Sequence, residues 1–203
     1  MEKINYQKLQ DEIVKDLVGT PRILLHSCCG PCSSYCIKAL SEKFLVTVHW
    51  FNPNIHPIEE YQKRLETQKK LIELIDAKNP VELLCDEYLP DEFFMLTKGY
   101  ENEREGGARC EICFKQRLEK TAQKAKEQGF DFFTTTLTVS PHKDAQKINL
   151  IGQELSNKYG VKFLPSDFKK KNGYLQSIEL SNKYELYRQN YCGCVFSLNI
   201  DKR

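Results

Sequence analysis

Ile23-Leu24-Leu25-His26-Ser27-Cys28-Cys29-Gly30-Pro31-Cys32-Ser33-Ser34 decides the fold. A short apolar run with the composition of a buried strand ends in a turn of small residues that carries three thiols. Pro31 is tolerated at a first helical position, and Tyr35, Ile37, Ala39 and Leu40 suit a helix beyond it. In open α/β sheets ligands bind outside the carboxyl ends of the strands, so these thiols stand where a cofactor is expected.

The same alternation recurs on either side. Leu9, Ile13 and Leu17 predict an amphipathic helix over residues 6–18. Residues 45–51 form the clearest β segment, rich in branched and aromatic side chains, and the proline-bounded stretch 52–57 reads as a loop. A long helix then carries Ile58, Tyr61, Leu65, Ile72 and Ile75 on one face. A third strand is expected at 81–84, a short helix at 90–97, and a mobile polar stretch at 99–107. Arg109-Cys110-Glu111-Ile112-Cys113 opens a helix ending near Gly129. Residues 132–137 read as a strand, 139–143 as its loop, 144–158 as a helix and 161–164 as a fifth strand, before a basic, tyrosine-rich, partly helical tail.

Five strand–helix alternations predict an α/β fold: a single three-layer domain over residues 1–203 with a mainly parallel five-stranded sheet. Connections in such sheets are right-handed, so the turns after strands one, two and four share one edge. Those turns carry Cys28-Cys29, residues 52–57 and residues 140–143, which makes that edge a predicted site.

Composition narrows the chemistry. The 203 residues are 40% hydrophobic and 29% charged, as in a globular protein, and no apolar run approaches the roughly 20 residues that span a bilayer. Met1-Glu2-Lys3-Ile4-Asn5 has no signal-peptide core, so the cytoplasm is the expected compartment. A net charge of +2 neither demands nor excludes a nucleic-acid partner. Nine cysteines in a reducing compartment point to metal or redox chemistry.

The thiols fall into groups: Cys28, Cys29 and Cys32; Cys110 and Cys113; Cys192 and Cys194; with Cys36 and Cys85 alone as expected core filler. Thiolate is a soft ligand that selects zinc or iron–sulfur clusters. Cys110 and Cys113 lie one helical turn apart and can grip one metal centre. A zinc-stabilised RNA-binding module stays open, although a vicinal pair at a strand end suits zinc less well than two short knuckles. Cys29-Gly30-Pro31-Cys32 also has the spacing of a thiol-disulfide oxidoreductase, with a helix N-terminus favouring thiolate. A thioredoxin-type fold is much shorter, however, and has no use for Cys28, Cys110 or Cys113. Cys192-Gly193-Cys194 can supply further ligands, close a strained and easily reduced disulfide, or be idle at a frayed end. Arg64 can pair with phosphate or carboxylate and Tyr61 can stack on a base, unless they are a solvated cation and a core aromatic. Lys169-Lys170-Lys171 and the stretch from Tyr184 to Tyr191 interleave cations and aromatics, which suits RNA and suits plain surface equally.

Taken together, the blocks resemble the cobalamin-independent epoxyqueuosine reductase family of the QueH type. They are Leu24-Leu25-His26-Ser27-Cys28-Cys29-Gly30-Pro31-Cys32; Phe51-Asn52-Pro53-Asn54-Ile55-His56-Pro57 with Glu60, Tyr61 and Arg64; and Arg109-Cys110-Glu111-Ile112-Cys113 with Arg117-Leu118. Thr134-Thr135-Thr136-Leu137 follows with Ser140, Pro141 and Lys143, then Asp167-Phe168-Lys169-Lys170, and Leu186-Tyr187-Arg188-Gln189-Asn190-Tyr191-Cys192-Gly193-Cys194. Gly30 departs from the pattern, since such proteins often carry alanine there.

The resemblance implies reduction of epoxyqueuosine to queuosine at the wobble position of tRNA. It implies a [4Fe–4S] cluster on Cys28, Cys29, Cys110 and Cys113, and a redox-active pair at Cys192 and Cys194 that could instead help hold a second iron, with Cys32 a candidate ligand there. Asn52, Tyr61, Arg64, Lys143 and Arg188 are the candidate substrate contacts, and His26, Tyr61 and Lys143 the candidate acids. The implied partners are tRNA carrying epoxyqueuosine and an external ferredoxin- or flavodoxin-like electron donor, with no membrane. No cobalamin is implied. The cysteine turn replaces the glycine-rich pyrophosphate loop of related ATP-using enzymes, so no ATP requirement is expected. Residues 167–203 are expected to close over the site.

Overall fold

The computed structural model describes residues 3–198. Its centre is the strand β1 (Arg22–His26), where Ile23 and Leu25 point into one apolar cluster and Leu24 into another, all three fully buried. A strand alternates its side chains between faces, and helices covering both faces leave no polar side, so the run is continuously apolar. β1 pairs in parallel with β2 (Leu45–Trp50) and with β4 (Phe132–Thr135). β3 (Glu82–Cys85) and β5 (Lys162–Phe163) complete an all-parallel sheet of order β3-β2-β1-β4-β5.

Eight helices surround it among the described residues: α1 (Tyr6–Lys15), α2 (Gly30–Ser41), α3 (Ile58–Leu74), α4 (Pro90–Thr97), α5 (Ala108–Glu127), α6 (Ala145–Tyr159), α7 (Gly173–Lys183) and α8 (Val195–Leu198). Ile37 and Leu40 of α2 and Leu71 of α3 close one face of the sheet together with Phe168 and Leu186. Phe114, Leu118 and Ala122 of α5 and Ile148 and Leu155 of α6 close the other. Each large apolar side chain buried this way contributes about 1.5–3 kcal/mol. The result is the three-layer α/β sandwich read from the sequence. No described helix is long and apolar enough to cross a membrane.

Three local expectations are corrected. The fourth strand stops at Thr135 rather than 137, because the Thr135 hydroxyl accepts from Leu137 N at 3.1 Å and turns the chain into a 3-10 helix, Thr136–Val139. Cys36 is core, but Cys85 is exposed, at the end of an edge strand. The stretch 99–107 is not free: buried Arg109 donates to the carbonyls of Tyr100, Glu101 and Glu103 at 3.0, 2.9 and 2.7 Å.

The strand order reverses between β1 and β4, the topological switch point where such sheets bind ligands. The turn after β1 carries Cys28 and Cys29, and the connection after β4 carries Lys143.

Candidate metal and redox site

The cysteine turn is built by small polar side chains. Cys29 is the N-cap of α2, with Pro31 in the first turn. The Ser27 and Ser33 hydroxyls lie 2.8 Å apart, and both reach Oε1 of the buried Gln68 on α3. Ser33 donates to Cys29 O at 2.6 Å, and Asn52 Nδ2 donates to Ser27 O at 2.8 Å. Gly30 lets α3 approach, since a Cβ there would stand 3.0 Å from both the Thr67 carbonyl and its methyl group.

Cys28, Cys32 and Cys192 line one cleft of about 400 Å³ with Lys143, Arg188, Tyr174 and Tyr191. Cys110 and Cys192 line a smaller adjoining cavity, again with Lys143. Cys113 and Cys194 lie just behind, buried with Phe93. The topology thus gathers thiols from three distant parts of the chain at the switch point, all of them free.

Their electrostatics are uneven. Hydrogen bonds from the Cys29 and Cys32 thiols, helped by Lys143 and Arg117, hold Cys28 well below the usual thiol range against its burial. The same sharing pushes Cys29 up to about 11 and Cys32 well above the ordinary value. Burial pushes Cys113 up to about 12 and also raises Cys110 and Cys194. Cys29 is 0% exposed, which counts against exchange through Cys29 and Cys32.

Arg117 is the cation of the site. It is 1% exposed, its Nε donates to Cys113 O at 3.2 Å, and its Nη2 has no hydrogen-bond partner. Burial works against its charge, and the thiols of Cys113, Cys28, Cys192 and Cys110 are what favour it. Burial likewise opposes the Lys143 ammonium, which Cys192, Cys28 and Cys32 more than restore. Among the described residues neither cation pairs with a carboxylate.

Among the described residues no three His, Cys, Asp or Glu side chains converge on one point at metal-ligand distance. A cubane cluster does not ask for that, because each thiolate binds a different iron and the sulfurs stay apart. What it asks for is several thiols around a space of compensating positive charge. Buried, carboxylate-free Arg117 amid four cysteines meets that requirement, so the residues fit the group.

The other expected residues divide. Lys143 and Arg188 line the cleft, Arg188 held by Ser181 Oγ at 3.0 Å. Asn52, Tyr61 and Arg64, expected at the substrate, lie beneath it instead. Asn52 is 2% exposed and ties down the cysteine turn, while Tyr61 packs in the core between Trp50 and Tyr88. Arg64 is 1% exposed, pairs with Glu60 at 2.6 Å, and donates to the carbonyls of Cys192 and Tyr191 at 3.1 and 3.2 Å. Between the two cysteines of the tail, Gly193 adopts φ +101°, and a Cβ there would stand 2.9 Å from Arg64 Nη1. His26 is fully buried against Thr135, and burial lowers it to about 3, which disfavours the charged imidazolium a general acid would need. Gln68 was missed outright, because a glutamine amid a charged helix leaves no sequence signal. Arg117 entered only as part of a motif; its one signal is a cation four positions after Cys113 on a helix whose buried face is largely apolar.

The protein-family model described as epoxyqueuosine reductase QueH matches residues 23–200. A protein of Streptococcus pyogenes serotype M1 named epoxyqueuosine reductase QueH is 45% identical over 97% of this chain and 79% of its own length. Proteins of the same name from Staphylococcus epidermidis and Thermotoga maritima are 44% and 38% identical, over 97% and 87% of this chain and 85% and 90% of their own lengths. With matches of this extent, the chain belongs to the epoxyqueuosine reductase QueH family.

Proposed function

We propose that this oxidoreductase reduces epoxyqueuosine in place, at the anticodon wobble position of tRNA, with a [4Fe–4S] cluster held by Cys28, Cys29, Cys110 and Cys113. The activity itself, reduction of epoxyqueuosine in queuosine biosynthesis, comes with the family. The observation that carries the cluster is Arg117: a buried guanidinium surrounded by thiols and without a carboxylate is tolerated where an anionic group is held against it.

Taking the oxygen from an epoxide to leave an alkene consumes two electrons and two protons and releases one water. A cluster supplies electrons singly. The Cys192/Cys194 dithiol, in closing to a disulfide, releases two electrons and two protons, which balances the reaction. Lys143 holds its proton beside Cys28 and Cys192 and places positive charge where the opening epoxide oxygen gains negative charge. Arg188, at the mouth, offers a guanidinium to ribose or phosphate. Arg64 fixes the Cys192 backbone, and the segment from residue 167 onward closes over the site; its last part, 199–203, lies outside the described residues. Cys32 is left as a thiol available to a second iron. A ferredoxin- or flavodoxin-like carrier in the cytoplasm restores the electrons, and neither ATP nor cobalamin takes part.

The test is anaerobic purification with iron and sulfide analysis, followed by assay on tRNA containing epoxyqueuosine and nucleoside digestion to detect queuosine. Iron and sulfide near four each per chain, with queuosine formed only under reduction, is the expected result. A colourless protein with stoichiometric zinc and no turnover would overturn it.

A further inference from the structure

A second cavity, of about 440 Å³, opens beside the cysteine cleft and shares Lys143 with it. Lys3, Lys143, Lys169 and Lys170 line it, with the start of α6. Two carboxylates face it, and both are engaged. Asp144 caps α6, accepting from Gln146 N at 2.8 Å and Lys147 N at 3.4 Å, and Asp167 pairs with Lys169 at 2.5 Å. Lys3, Lys143 and Lys170 form no ion pair among the described residues, so the groove carries a net positive charge.

The chain goes to some length to place these lysines. Gln146 clamps the N-terminal segment with both halves of its amide, accepting from Ile4 N at 3.2 Å and donating to Ile4 O at 2.8 Å, which fixes Lys3 at the rim. On the opposite wall Lys171 and Asn172 sit in the left-handed region, at φ 52° and 59°, although neither is glycine. Such backbone is unfavourable for L residues and persists where surrounding structure imposes it. Here Lys169 N donates to Thr138 O at 3.2 Å, Lys170 N to Asp167 O at 2.8 Å, and Lys171 Nζ pairs with Asp11 of α1 at 2.6 Å. The turn therefore presents Lys169 and Lys170 to the groove and sends Lys171 away from it.

We propose that this groove is a phosphate track: it holds the RNA backbone on one side of the modified nucleotide while the nucleotide itself enters the cysteine cleft, with Lys143 at the junction. The inference rests on the reading that tRNA, rather than free nucleoside, is the substrate. Unstacked RNA presents its phosphates at intervals along a groove of this kind, and lysines hold them as point charges without reading sequence.

Lys3 and Lys170 are exposed, so charge reversal there leaves the core intact. The test compares the wild type with a Lys3→Glu/Lys170→Glu variant, measuring kcat/KM on tRNA carrying epoxyqueuosine and on the free nucleoside, and the salt dependence of tRNA binding. The ratio of the two kcat/KM values should fall about tenfold or more, and the slope of log Kd against log salt should flatten by about one to two. Arginine at both positions should restore both quantities. A wild type that strongly prefers tRNA, with ratio and slope unmoved in the variant, overturns the groove. A wild type that turns over nucleoside and tRNA equally well instead removes the tRNA reading beneath it.

Discussion

The guanidinium of Arg64, shut away on α3, donates at 3.1 Å to the main-chain carbonyl of Cys192, 128 residues later. With its neighbouring bond to Tyr191 O this is a two-point grip on the backbone just before Cys194. Arg64→Met keeps most of the packing volume and removes the grip. We expect kcat to fall about 100-fold, the scale of effect when a reacting group is misplaced by an ångström. Cys192 should also alkylate faster in the resting protein. Stopped assays and mass-spectrometric labelling rates measure the two; unchanged labelling would separate Arg64 from Cys192.

Gly193→Ala attacks the same relationship from the other side. Its backbone is in a region that favours glycine, and the added methyl group meets Arg64 itself. Overall stability should fall by no more than about 2 kcal/mol, because the strain is confined to the tail. Turnover should suffer as it does in Arg64→Met. The double variant should be little worse than either single one, since both break one contact.

Arg117 gives a prediction of opposite sign. In metal-free protein its buried charge has no carboxylate partner among the described residues, so Arg117→Met should stabilise the apo form by roughly 1–4 kcal/mol, as is common when buried charges yield to apolar side chains. The same variant should retain less iron and sulfide on anaerobic reconstitution. Denaturant melts of apo protein give the first result and metal analysis the second. An apo form made less stable would mean that the charge is already compensated without a cluster.

The pH dependence of folding has a separate source. Burial would raise the Asp86 carboxyl, but the His49 hydrogen bond at 3.1 Å and the Lys124 and Lys120 charges outweigh it and hold it below the usual carboxylate range. A depressed carboxylate contributes stability that is present above its unfolded value, about 4, and is lost as pH falls through the folded value. The gap in urea midpoint between wild type and Asp86→Asn should therefore be widest above about pH 5 and close toward pH 3. A gap that widens on acidification would refute this assignment.

The sheet, its helices and the edge that carries the thiols were legible because the central strands β1 and β2 are apolar enough to be covered on both faces and the turns beside them are punctuated by glycine, proline or small polar residues. The thiols stood out because they fall in close groups, although an idle pair at a frayed end was one reading of Cys192 and Cys194. The roles of Arg64, Tyr61 and Asn52 were not. A cation, an aromatic and an amide near a proline-bounded loop look the same in sequence whether they touch a ligand or support the chain that does; burial decides, and burial depends on what the tail covers. Residues 99–107 read as loose because their composition is polar, while the anchor that gathers their carbonyls, Arg109, lies outside them. Cys85 read as core because its strand does, but an edge strand leaves its last residue in solvent.

The cleft draws its thiols from the turn after β1, the start of α5 and the segment just before α8. Synthesis delivers these in that order, so the segment that carries Cys192 arrives last of the three. Until Tyr191 and Cys192 leave the ribosome, Arg64 has Glu60 but not the carbonyls it holds in the finished protein, and Lys143 lacks the Cys192 thiol foremost among those that favour its charge. A chain made only as far as Asn190 therefore has a cleft without its Cys192 wall.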